Sequence, residues 1–176
     1  LGQALDRLGQ RAEAVAEYRA ALADPAAGPL KLRDLARAGL RDAPPPDIGE
    51  AYRQSLEGWR ALERGNLAEA ARAIGRSLAL RADDPVTRYR YARLLQAQKN
   101  DSAALTTLET LAGARATTPP TIYASACVDA ARLLEQRGAQ PRAIELYRTA
   151  QGVFGADRQT KDEARRALAR LTSATK

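Results

Sequence analysis

The 176-residue chain has no histidine and no methionine, one cysteine, one tryptophan, one phenylalanine and only 5% aromatic residues. Without histidine the chain lacks the commonest general base and the commonest metal ligand. Cys127 alone cannot close an internal disulfide, and CxxC pairs and Cys/His clusters are absent, so neither redox nor zinc chemistry is expected. There is no Gly-rich phosphate loop of either standard form, and the acidic pairs Asp83-Asp84 and Asp162-Glu163 fall where helix starts explain them. The expectation is a non-catalytic chain with no cofactor, no metal and no small-molecule substrate. No apolar run approaches the roughly 20 residues that cross a bilayer, so membrane insertion is not expected and this region reads as soluble. The cellular compartment is not encoded here. The chain opens at Leu1, without Met and inside a helical pattern, which predicts that the natural chain starts upstream.

Alanine, in contrast, is abundant at 39 residues, and it points to helices that approach closely across small side chains. The formal charge of +7 raises the question of nucleic acid. Of the 28 basic residues, 24 are Arg and four are Lys, scattered singly among Asp and Glu with no dense run. Dispersed charge gives little focused field, so nucleic acid is the less favoured partner.

A spaced signature recurs four times: a turn residue, a small residue five on, a large apolar residue four later and a small or apolar one after three more. It reads Gly9, Ala14, Tyr18, Ala21; Gly65, Ala70, Ile74, Ser77; Lys99, Ala104, Leu108, Leu111; and Gly138, Ala143, Tyr147, Ala150. Each unit predicts two helices joined by a tight turn. Gly supplies the turn conformation, Ala lets the second helix cross its partner closely, and the large residue one turn on fills the groove. At the third turn Lys99-Asn100 must take the geometry without glycine, and Asn tolerates it better. The intervals are 56, 34 and 39 residues. The first leaves 22 residues beyond one period, which read as an inserted helix from Pro29 to Leu40 with Leu32, Leu35, Ala36 and Gly39 in one stripe. The connector Arg41-Asp42-Ala43-Pro44-Pro45-Pro46 follows.

Helix starts are expected near Asp47, with Glu50 completing a capping box, at Asp84-Pro85, and at Thr160 with Glu163. Gly113 to Pro120 reads as a longer loop. Ala164, Ala167, Leu168 and Leu171 form the single stripe of a terminal cap helix.

The 34-residue interval, and the pair Gly58 and Gly65 seven apart followed by Ala70, resemble the tetratricopeptide repeat family, most closely over 51 to 154. The resemblance implies an all-α solenoid of antiparallel helix pairs forming a right-handed superhelix. The units would be a truncated first repeat at 1–25, an inserted helix and connector at 26–46, repeats at 47–84, 85–118 and 119–154, and a cap at 155–176. It also implies a non-catalytic scaffold that binds a protein or peptide in the concave groove lined by first helices, with self-association left open. The family's groove positions map to Tyr52, Ser55, Trp59, Leu62 and Glu63; to Val86, Tyr89, Arg93, Gln96 and Ala97; and to Ser125, Val128, Arg132, Glu135 and Gln136. Of these, Tyr52, Trp59, Glu63, Tyr89, Arg93 and Arg132 are the expected partner-binding residues, because Trp, Tyr and Arg dominate binding hot spots. Trp59 has a competing role, packing on the inserted helix. The family pattern makes Tyr91, rather than Tyr89, the buried tyrosine of its helix, and makes Cys127 a packing residue. Some members grip a terminal carboxylate with Lys and Asn at the fifth and ninth groove positions, where this chain has Ser55 and Trp59, then Tyr89 and Arg93. Two other functions stay open: an RNA-binding helical repeat, and the regulatory or assembly segment of a larger enzyme.

Overall fold

The computed structural model describes residues 1–24, 30–45 and 47–173, without the side chains of Leu30 and Lys31. Every regular element among them is helical: α1 (Gly2–Arg7), α2 (Arg11–Ala23), α3 (Leu30–Arg41), α4 (Ile48–Glu63), α5 (Leu67–Leu80), α6 (Pro85–Ala97), α7 (Asp101–Gly113), α8 (Pro120–Gln136), α9 (Gln140–Gln151) and α10 (Arg158–Ser173). None of these helices is long and apolar enough to cross a membrane.

The repeating signature builds the pairs α1/α2, α4/α5, α6/α7 and α8/α9. Gly9, Gly65 and Gly138 sit at φ +77°, +76° and +77°, the left-handed conformation that an L side chain pays strain to adopt. At the third turn it is Lys99, at φ 62°, that takes this conformation. Asn100 is the N-cap of α7, and its side-chain oxygen accepts from the Ala103 N–H at 3.3 Å. Ala14, Ala70, Ala104 and Ala143 are fully buried, and Tyr18, Ile74, Leu108 and Tyr147 are buried one turn later.

Helix starts follow from side-chain caps in part. Asp84 caps α6 as expected, accepting from the Thr87 N–H at 2.7 Å, with Pro85 in the first turn. Asp47 precedes α4 but makes no cap bond, because its own backbone is already helical (φ −81°, ψ −10°) and not in the extended conformation of a cap; Glu50 accepts from Arg53 and Gln54 instead of completing a capping box. The last helix starts before Thr160. Asp157 accepts from the Thr160 N–H and hydroxyl, both at 2.8 Å, and Glu163 reaches across to α8.

Successive first helices pack side by side, α1 on α4, α4 on α6, α6 on α8 and α8 on α10, while no two second helices pack comparably among the described residues. The first-helix layer is therefore the tighter, inner one. The later second helices also pack on the next first helix, α5 on α6, α7 on α8 and α9 on α10. One continuous core runs from Ala92 through α7, α8 and α9 to Leu171, including the expected stripe of α10.

The N-terminal end differs. Helix α2 packs on α3, and the join to α4 is made where α1 turns into α2. A Cβ on Gly49 would come 2.7 Å from the Gly9 Cα, so the two backbones touch there. The Arg53 guanidinium donates to the Leu8 carbonyl at 3.1 Å across the same join. The Tyr18 ring lies between Gly2 and Gly39, where added Cβ atoms would fall 2.5 and 2.4 Å from it. Helix α3 lies where the inserted helix was expected, but the expected stripe is only half used: Ala36 is buried and Gly39 packs on Tyr18, whereas Leu32 and Leu35 are exposed. Pro29 and Pro46, the expected ends of the insertion and its connector, lie outside the described residues.

Candidate functional site on the inner face

Helices α4, α6 and α8 carry the six expected partner-binding residues. Tyr52 and Trp59 are half-buried on α4, and Glu63 is exposed at its end. The Arg90 guanidinium of α6 stands 6.0 Å above the Trp59 ring. Helix α3 packs on α2 and α1, so the contact that marks Trp59 comes from α6 and not from the inserted helix.

Tyr89, Arg93 and Arg132 converge on a residue absent from the expected set, Asp129 of α8. Asp129 is 3% exposed. It accepts from the Tyr89 hydroxyl at 2.8 Å and from Arg132 at 2.7 Å, and it pairs with Arg93 at 3.6 Å. Arg132 also donates to Glu163 of α10, one of its bonds being 2.7 Å. Tyr89 is thus the tyrosine turned toward the interior, and Tyr91 is the more exposed one, at 36%. The reason is chemical: a phenol entering this layer needs an acceptor, and Asp129 supplies it only on the Tyr89 side. Burial, then the Asp129 charge, pushes the Tyr89 phenol up to about 12.

Burial alone lowers the pKa of Arg93 and Arg132, but the carboxylates of Asp129 and Glu163 more than offset it, and both lie above the ordinary arginine value. Arg90, with no carboxylate bonded to it, is left lowered by burial. Its guanidinium instead donates to Ser55 at 2.7 Å. Ser55 belongs to a buried group of hydroxyls joining three helices. Thr87 Oγ1 lies 2.9 Å from Ser55, 3.2 Å from Ser77 and 2.7 Å from Asp84, and Ser77 donates to the Ala51 carbonyl at 2.8 Å. Of the other expected groove positions, Val128 is buried in the core, while Leu62, Val86, Gln96, Ser125 and Glu135 are half-buried. Ala97 and Gln136 are exposed.

Asp129 had a signal in the sequence: it is the sole acidic residue between Glu109 and Glu135, isolated within the apolar run of α8. An unaccompanied charge in such a run needs a partner from elsewhere. The hydroxyls at 55, 77 and 87 had none, since Ser and Thr are common on helices whether or not they meet. Cys127 is fully buried, and burial pushes its thiol up to about 11, so it stays protonated at neutral pH. No group of three or more acidic or cysteine ligands suited to a metal occurs among the described residues.

Residues 61–124, from the end of α4 to the start of α8, match the family model of the tetratricopeptide repeat. Over these residues the chain is similar to the tetratricopeptide repeat, the family that the spacing of its turns and alanines suggested. No curated protein and no solved structure matches it.

Proposed function

We propose that the chain is a non-catalytic scaffold whose inner face, centred on α4 and α6, binds a segment of a partner protein. Tetratricopeptide repeats generally mediate protein–protein contact, and residues 61–124 match their family model. The observation that carries the reading is Trp59. The only tryptophan of the chain is left half-buried on the inner layer, its ring held under Arg90, and it belongs to neither of the buried clusters of α4 to α6 and α6 to α10. A rigid aromatic surface held by a neighbouring cation is a typical interface anchor. Tyr52 extends the same surface along α4. Arg93 and Arg132 contribute a different property, since Asp129 and Glu163 already offset their charge. They orient a polar rim and do not present free cations, which disfavours a phosphate backbone as the ligand.

The test is partner affinity of Trp59→Ala and Arg93→Ala. Both variants are expected to weaken binding while the helical circular dichroism signal holds, with Trp59→Ala costing about tenfold or more. A sharp fall in the melting temperature of Trp59→Ala without a change in affinity would make the residue core and remove the anchor.

A further inference from the structure

A cavity of about 310 Å³ opens where α1, α4, α6 and the α7–α8 loop meet, next to Trp59 but apart from the Asp129 centre. Its lining contains three arginines, Arg7, Arg81 and Arg90, against one aspartate, Asp84. That aspartate is engaged, capping α6 and accepting from the Thr87 hydroxyl. Among the described residues none of the three arginines has a carboxylate within ion-pairing distance. Arg90 is the most constrained of them. One of its nitrogens is bonded to Ser55, its plane lies over Trp59, and its other N–H donors have no protein acceptor among the described residues. Ser55 is itself fixed by Thr87, so the donor fork is held in place before any ligand arrives. The remaining walls are mixed but mostly hydrocarbon, with Ile48, Val86 and Pro119 facing the same space as Tyr52 and Thr117.

From this arrangement we infer that the cavity seats a carboxylate of the partner, an aspartate or glutamate side chain flanked by an apolar residue. The inference deepens the scaffold reading and rests on it. Positive charge in excess, three arginines against Asp84 with Glu63 nearby, favours an anion in a half-enclosed site, and a planar two-oxygen anion fits the fork of Arg90. The mostly hydrocarbon walls favour a carboxylate carried beside an apolar group over a hydrated inorganic ion. The volume, at the low end for ligand sites, suits one or two side chains and not a folded surface.

The experiment is an NMR titration of the chain with acetyl-Leu-Glu-Leu-amide, acetyl-Leu-Gln-Leu-amide and inorganic phosphate. The expected result is that the glutamate peptide shifts the signals of Ser55, Thr87 and the Trp59 indole, with the glutamine peptide about tenfold weaker or worse. Arg90→Gln should abolish that preference. Because Arg90 also holds Ser55, the double variant Arg7→Gln/Arg81→Gln serves as a second probe, expected to weaken the glutamate peptide about threefold or more with unchanged helicity. Equal binding of the two peptides, the same shifts from phosphate with no gain from the peptide, or indifference to both sets of substitutions would overturn the inference. The scaffold reading fails separately: if Arg93→Ala and Trp59→Ala leave partner affinity unchanged while the glutamate preference persists, the cavity stands and the wider inner-face reading falls.

Discussion

Each end of the chain is tied together by a tyrosine, an aspartate and arginine, but against different packing. In the N-terminal unit the Tyr18 hydroxyl donates to Asp6 at 2.8 Å, and Arg11 bonds both Asp6 and the Leu40 carbonyl, so one polar centre links α1, α2 and α3. Among the described residues the buried apolar cluster around it is Ala14, Tyr18 and Ala36, with Leu5, Ala21, Leu22 and Leu40 partly buried against it. In the C-terminal part the Tyr89, Asp129, Arg93 and Arg132 centre lies on the inner side of a core that spans five helices. The same residue types therefore serve unlike purposes. Around Asp6 they substitute for hydrophobic packing, and around Asp129 they order a surface that is already supported. The insertion of α3 accounts for the difference, because it occupies the flank of α2 on which a following first helix would otherwise stack.

The largest expected effect comes from breaking the join between the regions. Gly49→Leu places a side chain against the Gly9 backbone and is expected to cost about 3 kcal/mol. Hydrogen exchange should then show α1 to α3 losing protection while α6 to α10 keep theirs, and uniform loss would mean that the two regions unfold as one. Next, removing each aspartate should separate the two roles. Asp129→Ala is expected to cost about 2–3 kcal/mol and to lower the main denaturant transition. Asp6→Ala should instead release α1 to α3 to proteolysis and leave the main transition nearly in place.

Alkaline pH sharpens the comparison. Tyr89 and Tyr147 are pushed up to about 12 by burial, with Asp129 and Glu135 adding to it, and Tyr18 is raised by burial and by Asp6. A raised folded pKa means the neutral phenol is favoured in the fold. Its contribution is fully present below the ordinary value near 10 and is lost as pH rises from there toward 12. Denaturant midpoints should stay level from pH 7 to 9 and fall above 10, and a level profile through pH 11.5 would contradict the burial of these phenols. The smallest effect is a gain. Lys99→Gly relieves a side chain held at φ 62° and is expected to stabilise the chain by about 0.5–1 kcal/mol, read as a higher melting temperature.

The turn glycines and the alanines after them were legible because their requirements are local: a positive φ and a close helix crossing leave few residue choices. The same local logic located α6, capped by Asp84. It failed at Thr160, because Asp157 three residues earlier offered a better acceptor and Glu163 was drawn to Arg132. It failed at Tyr91 because which tyrosine turns inward is decided by Asp129, 40 residues from Tyr89 and on another helix. The candidate site was legible as a set of residue types on first helices. Its division into an internally neutralised part, around Asp129, and an unmatched part, around Arg90, depends on distances that no spacing encodes. The exposure of Leu32 and Leu35 likewise follows from where α3 docks.

The central claim is that the inner layer of first helices is the face that meets a partner. A photo-cross-linking side chain placed singly at Tyr52 or Arg93 of the inner layer, and at the exposed Arg72 or Glu109 of the second helices, tests it in the full-length protein within its own cell. The account predicts a discrete cross-linked protein from the first two positions and none from the second two. Adducts from Arg72 and Glu109 alone would place the partner on the outer face and contradict it.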